Sequence, residues 1–241
     1  MTCLSAITCS ETVLGVSGKY NATSSEGETS IDTWIASFEP VSDAKELNGI
    51  KTASAADGSV YVSSTYNKAF TFGGKEVADP EGLTSACIVK YNEKGQEQWA
   101  VALEGSAVVY ALDTDADGTL YAAGSFIDVV KYTGTDGTTG ELAGGADSQS
   151  AFVAKSSKDG QVESGKTIAP VINAAILESF MYFPEPNYVY VTPNNIQIDG
   201  EKVYVSATYT ADVEELGWKA ERSVEETLAS AWAWEKYLAE K

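Results

Sequence analysis

Apolar and polar residues alternate along most of this chain, in short runs bounded by glycine. That is the pattern of strands joined by tight turns. Four runs share a finer order of apolar, small, small, any and aromatic. They are "VSGKY" at Val16–Tyr20, "VSSTY" at Val62–Tyr66, "AAGSF" at Ala122–Phe126 and "VSATY" at Val205–Tyr209. Their final aromatics lie 46, 60 and 83 residues apart, so the repeat is loose and carries insertions. Asp-Gly precedes three of them, at Asp57-Gly58, Asp117-Gly118 and Asp199-Gly200. Glycine supplies positive φ and aspartate tolerates the turn backbone, so each pair predicts a hairpin leading into its run.

A second run follows each of the first three. "TWIASF" (Thr33–Phe38), "ACIVKY" (Ala86–Tyr91) and "AFVAKS" (Ala151–Ser156) align without gaps, and the last two continue into "NEKGQ" and "SKDGQ". Glycine after charged residues, followed by another apolar run such as "EQWAVAL", predicts a further hairpin. Each unit then reads as strand a, Asp-Gly turn, strand b, variable loop, strand c, glycine turn, strand d. One such sheet cannot bury both faces alone and must stack on its neighbours. Units of ~45–60 residues with four antiparallel strands predict an all-β fold, a β-propeller of four-stranded blades. About four blade units are expected, at residues 1–49, 50–106, 107–170 and 189–241, with an irregular insertion at 171–188. Residues 1–241 are read as a single propeller or part of a larger one.

At "DGTLYAAGSF" with "AFVAKSSKDGQ", and at "DGSVYVSSTY" with "ACIVKYNEKGQEQW", the chain resembles the SBBP-like β-propeller repeats of bacteria of the Bacteroidetes type. The resemblance covers most of residues 1–170. It implies a protein that is exported: at the cell surface, associated with the outer membrane, or periplasmic. The targeting segment would lie outside this numbering. The resemblance carries little about function, because one fold hosts many roles.

Both irregular stretches are rich in aromatics. Residues 171–193 contain Phe180, Tyr182, Phe183, Tyr188 and Tyr190. They read either as an exposed binding loop or as a strand and connection packed on the sheets, and the scarcity of large exposed apolar patches favours the second. The end, residues 224–241, has helix-favouring composition, with Val224, Leu228, Ala231 and Leu238 on one face. The repeat register instead aligns "SAWAWEKY" with "SACIVKY" and places Trp232 and Trp234 on one face of a strand c. That register leaves the fourth blade without a strand d. The first blade is read as beginning at its own strand a.

Composition narrows the chemistry. The chain has 35 Asp+Glu against 16 Lys+Arg, net −19, which argues against nucleic acid and anionic lipid as partners. It contains no histidine, which removes Ser-His-Asp catalysis and nearly all zinc enzyme sites. The cysteines, Cys3, Cys9 and Cys87, are too few for a disulfide framework, and Cys87 reads as core. No run reaches the length of a membrane span.

Asp113, Asp115, Asp117 and Gly118 spell D-x-D-x-D-G, the opening of a calcium loop. The twelfth position of an EF-hand loop falls on Gly124 and the ninth on Tyr121, so neither completion works. Only Asp117-Gly118 recurs in the repeat, and the turn is the favoured reading over calcium. No catalytic constellation stands out. The expected function is a non-catalytic binding or scaffold propeller whose partner is a protein or a glycan. A carbohydrate-active enzyme using carboxylates is one alternative, and a structural subunit of a larger surface complex is another. Trp34, Trp99 and the Tyr182–Tyr190 stretch are the aromatics a glycan would meet, although strand tryptophans are usually core.

Overall fold

The computed structural model describes residues 3–9, 13–42, 47–80, 85–145, 148–170 and 190–209. Most of the aromatic insertion and the stretch 224–241, expected as a strand c, lie outside the described residues. The described residues form an all-β fold of antiparallel sheets, with no helix.

The first sheet has the order β1 (Cys3–Cys9), β2 (Leu14–Thr23), β3 (Thr29–Phe38). The second contains β4 (Lys51–Ser54) and β5 (Val60–Tyr66), then the hairpin β6 (Phe70–Phe72) and β7 (Lys75–Val77) as a separate pair, then β8 (Ser85–Tyr91) and β9 (Glu97–Glu104). The third contains β10 (Ala107–Thr114), β11 (Leu120–Ile127), β14 (Gln149–Ser156) and β15 (Val162–Ile168); the hairpin β12 (Val129–Gly134) and β13 (Thr139–Ala143), inserted between β11 and β14 in the chain, joins the second sheet instead. A last pair is β16 (Val191–Asp199) and β17 (Lys202–Tyr209). Strands pair as β4-β5-β8-β9 and as β10-β11-β14-β15, the a-b-c-d order of the repeat. The inserted β12 pairs with β9, so the second sheet grows to six strands.

One turn closes six hairpins. In Ser24–Glu28, Ala55–Ser59, Asn92–Gln96, Asp115–Thr119, Gly134–Thr138 and Ser157–Gln161 the first N–H donates to the fifth carbonyl, and the fourth N–H to the first carbonyl. The fourth residue is always glycine, with φ between 75° and 90°, a region that side chains with a Cβ resist. Asp199-Gly200 departs from this scheme. Asp199 pairs directly with Lys202 across a two-residue loop, with Gly200 at φ 59°. One additional residue before Val203, relative to Val60 and Leu120, shifts the turn from a five-residue to a two-residue form.

Stacking explains the unbroken apolar runs. Every residue of β5 and of β8 is buried. Their alternate side chains enter two different cores. Val60, Val62, Tyr66, Cys87 and Val89 face the first sheet, whereas Tyr61, Ala86 and Ile88 face the third. Within the third sheet, Gly124 makes room for its neighbouring strands: a Cβ there would strike the Val108 carbonyl and the Phe152 ring. The closing aromatics Tyr66 and Phe126 are fully buried in these seams. The pair β16–β17 lies on the other face of the third sheet, where Ile196 meets Ala111 and Ala123.

The first sheet corrects its reading in the repeat. The run Val16–Tyr20 aligns in sequence with Val62–Tyr66, a strand b, but Leu14 and Val16 face the second sheet while Val60 and Val62 face the first. Their pairings match strands c and d instead. Leu14↔Phe38, Val16↔Ala36 and Gly18↔Trp34 repeat Ala86↔Leu103, Ile88↔Val101 and Lys90↔Trp99. Trp34 covers Gly95 of the next sheet as Trp99 covers Gly160. Asn67 N–H donates to the Pro40 carbonyl as Ile127 N–H donates to that of Ser106. The three strands β1, β2 and β3 therefore hold places b, c and d, and "TWIASF" is the counterpart of "QWAVAL".

Candidate functional site

The acidic turn at residues 113–118 is built by hydrogen bonds to backbone. Asp115 is the first residue of its five-residue turn, and its Oδ1 accepts from Asp117 N–H at 3.0 Å and Thr119 N–H at 2.9 Å. Ser24, Asn92 and Ser157 do the same in theirs. Where the first residue is Ala55, the role passes to Asp57, whose Oδ1 accepts from Ser59 N–H at 2.8 Å. Burial pushes the Asp57 carboxyl up, but the Ser59 hydrogen bonds and the Lys90 charge outweigh it and hold it below the usual range. Asp113 points elsewhere. Its Oδ2 accepts from Ile198 N–H at 2.8 Å, which ties the third sheet to the last pair. Asp117 is exposed. The three acids thus serve three places, and among the described residues no group of three or more His, Cys, Asp or Glu side chains stands close enough to hold a metal ion.

The most chemically loaded point is the seam between the second and third sheets, which sequence reasoning missed. Lys90 is 7% exposed. Its Nζ donates to the Lys158 carbonyl at 2.9 Å and sits 5.2 Å from the centre of the Tyr61 ring. Trp99 Nε1 donates to the same carbonyl at 2.9 Å. Tyr61 Oη donates to the Gly118 carbonyl at 2.7 Å. Burial lowers the Lys90 pKa, against the pull of Asp57 and Asp159. Burial raises that of Tyr61, with Asp57, Asp115 and Asp159 adding to it. The buried cation is thus satisfied by a carbonyl and a ring face rather than by a carboxylate. The seam between the first and second sheets lacks these links: Trp34 Nε1, Tyr66 Oη and Tyr91 Oη are buried without a hydrogen-bond partner. The signal for the finished seam was present as "VKY" and "QWA", but nothing local says that both residues lean on the following unit's turn.

Trp34 and Trp99 are buried, at 7% and 6% exposure, and present no ring to a glycan. Tyr190 forms an isolated bridge with Gln149, and residues 182–189 lie outside the described residues. Cys87 is a buried free thiol whose pKa burial pushes up to about 12, against a hydrogen bond from the Ser64 backbone. Cys3 and Cys9 bound one strand. Their Cα atoms are thereby about 20 Å apart, beyond the reach of a mutual disulfide. A small cavity in the second seam is lined by Ile88, Val101, Leu103, Leu142 and Phe152 and carries no carboxylate, lysine or cysteine. Among the described residues no helix is long and apolar enough to cross a membrane.

No protein-family model matches the chain, and no curated protein matches it.

Proposed function

We propose that the chain is a β-propeller, or a length of one, serving as a non-catalytic binding or scaffold module at a bacterial surface. The observation that carries this reading is the stacking of like on like. The second and third sheets share the a-b-c-d order. The first sheet is laid on the second, and the second on the third, with an indole over the following turn glycine, Trp34 on Gly95 and Trp99 on Gly160. Blades that cannot bury both faces alone associate in this manner. The resemblance of "DGTLYAAGSF" and "AFVAKSSKDGQ" to surface propeller repeats supports export. The acidic surface supports a protein or glycan partner over nucleic acid or anionic lipid. A crystal structure of the whole chain tests the architecture: the sheets are expected to radiate from one axis, and an open, solenoid-like stack would refute it. A glycan array followed by product analysis tests the role. Retention without turnover is expected, and cleavage of a retained glycan would replace this reading with the enzyme.

A further inference from the structure

The first sheet ends on an edge unlike the others. β3 is the longest edge strand among the described residues, at 10 residues. Its pairing with β2 has no bulge, and it contains no lysine, arginine, proline or glycine. The other edges carry protection of the kinds that keep edge strands from recruiting new partners. β1, β10, β15 and β16 each hold a bulged residue, at Ser5, Tyr110, Glu163 and Asn194. β4 and β13 are only four and five residues long. β17 opens on Lys202.

The second sheet shows what lies along such an edge. β9, the counterpart of β3, is covered by β12, which pairs antiparallel with Val101–Glu104. Thr135 N–H extends the contact to the Ala100 carbonyl. The hairpin in the same place of the preceding unit is β6–β7, with strands of only three residues. It meets β3 through Phe38 against the rings of Phe70 and Phe72 and remains a separate two-stranded sheet. Thr29–Thr33, Ile35 and Ser37 are exposed, with Ile31 at 71% and Ile35 at 84%. An edge strand aims alternate N–H and C=O groups outward, and along β3 no strand of the described residues receives them.

We propose that the outer edge of β3 docks an extended, basic segment of a separate polypeptide, which adds antiparallel to β3 as β12 adds to β9. Charge selects a separate partner. The edge carries Asp32, with Glu26 and Glu28 at the adjoining turn. Residues 171–189 contain two glutamates and no lysine or arginine, and residues 210–241 contain eight acids against four bases. A second copy brings a further net −19. A neutral-to-basic strand meets no such repulsion, and its main chain supplies the affinity while alternate side chains supply the choice. The inference goes beyond the propeller reading and does not depend on closure of the sheets.

The test uses the full chain and a capped peptide of alternating threonine and valine with lysine at both ends. Amide hydrogen exchange by NMR is expected to slow roughly tenfold at alternate residues of Thr29–Ser37 when the peptide is added, and to change little elsewhere. Asp32→Lys should weaken peptide binding about fivefold, and added salt should weaken it in the parent chain. The same peptide with a central proline should not bind. Protection at another edge, equal binding of the proline peptide, or no protection would overturn the proposal. Slow β3 amides in the peptide-free monomer would overturn it in favour of the chain's own segments. Protection that grows with protein concentration, with a dimer in light scattering, would overturn it in favour of a second copy.

Discussion

Asp115 and Asp117 stand two residues apart in the same acidic turn and do different work. Asp115 accepts two backbone N–H groups and is half-buried, whereas the Asp117 side chain is exposed. Removing the acceptor of two backbone donors, one of them part-buried, costs more than removing an exposed carboxylate. Asp115→Ala is therefore expected to lower the unfolding free energy by about 1–2 kcal/mol, and Asp117→Ala by less than about 0.5 kcal/mol. Urea unfolding with and without calcium checks this. Equal losses for both variants that appear only with calcium would reinstate the metal loop. The sequence showed that Asp117-Gly118 belonged to the repeat. It could not show Asp115 as a turn cap, because Ser24, Asn92 and Ser157 fill that role with other residue types. Nor could it show that Asp113 reaches a strand 85 residues away.

At the scale of elements, the glycine turn is both a local device and a packing surface. Gly137 and Gly160 share a φ of 90°, so alanine strains both backbones alike. They differ in surroundings. A Cβ on Gly137 meets nothing within 4 Å, whereas one on Gly160 lies 2.8 Å from the Trp99 ring. Gly137→Ala should cost about 1 kcal/mol and Gly160→Ala about 3 kcal/mol, the excess being the displacement of the indole. Urea midpoints that coincide for the two variants would remove the indole–glycine contact from the account of how the sheets join. The hairpins were legible because positive φ at glycine is a local requirement. The identity of the first sheet's strands was not, since strands b and c share the same alternation. Period-two patterning fixes neither which neighbour a face meets nor which way the strand runs.

For the whole molecule, burial of neutral acids governs the alkaline limit. Burial, opposed by the Ser64 hydrogen bond, raises the Cys87 pKa from an ordinary 9.0 to about 12. A raised folded value means that the fold holds its proton more tightly than the unfolded chain does. The stability this contributes is complete below pH 9.0 and is lost as pH climbs toward 12. Tyr61, Tyr66 and Tyr91, also raised by burial, add the same trend above their ordinary 10.0. Lys90 opposes it, because burial lowers its pKa and its contribution grows as pH approaches 10.5. Stability is thus expected to fall from pH 9 upward. Cys87→Ala should flatten the slope between pH 9 and 10 by up to about 1.4 kcal/mol per pH unit. An unchanged slope in that variant would show that the thiol titrates alike in both states.

The sequence by itself determined what short-range physics controls: strands rather than helices, the tight turns, and the a-b-c-d order of the second and third units. Tertiary structure decided what depends on neighbours. It turned β2 and β3 into strands c and d, sent β12 across to β9, placed Lys90 and Trp99 on a carbonyl of the following unit, and left β3 as a smooth edge. Alternation and turn chemistry are written within a few residues. The face a strand presents is settled by which sheet it meets, and no single strand carries that information.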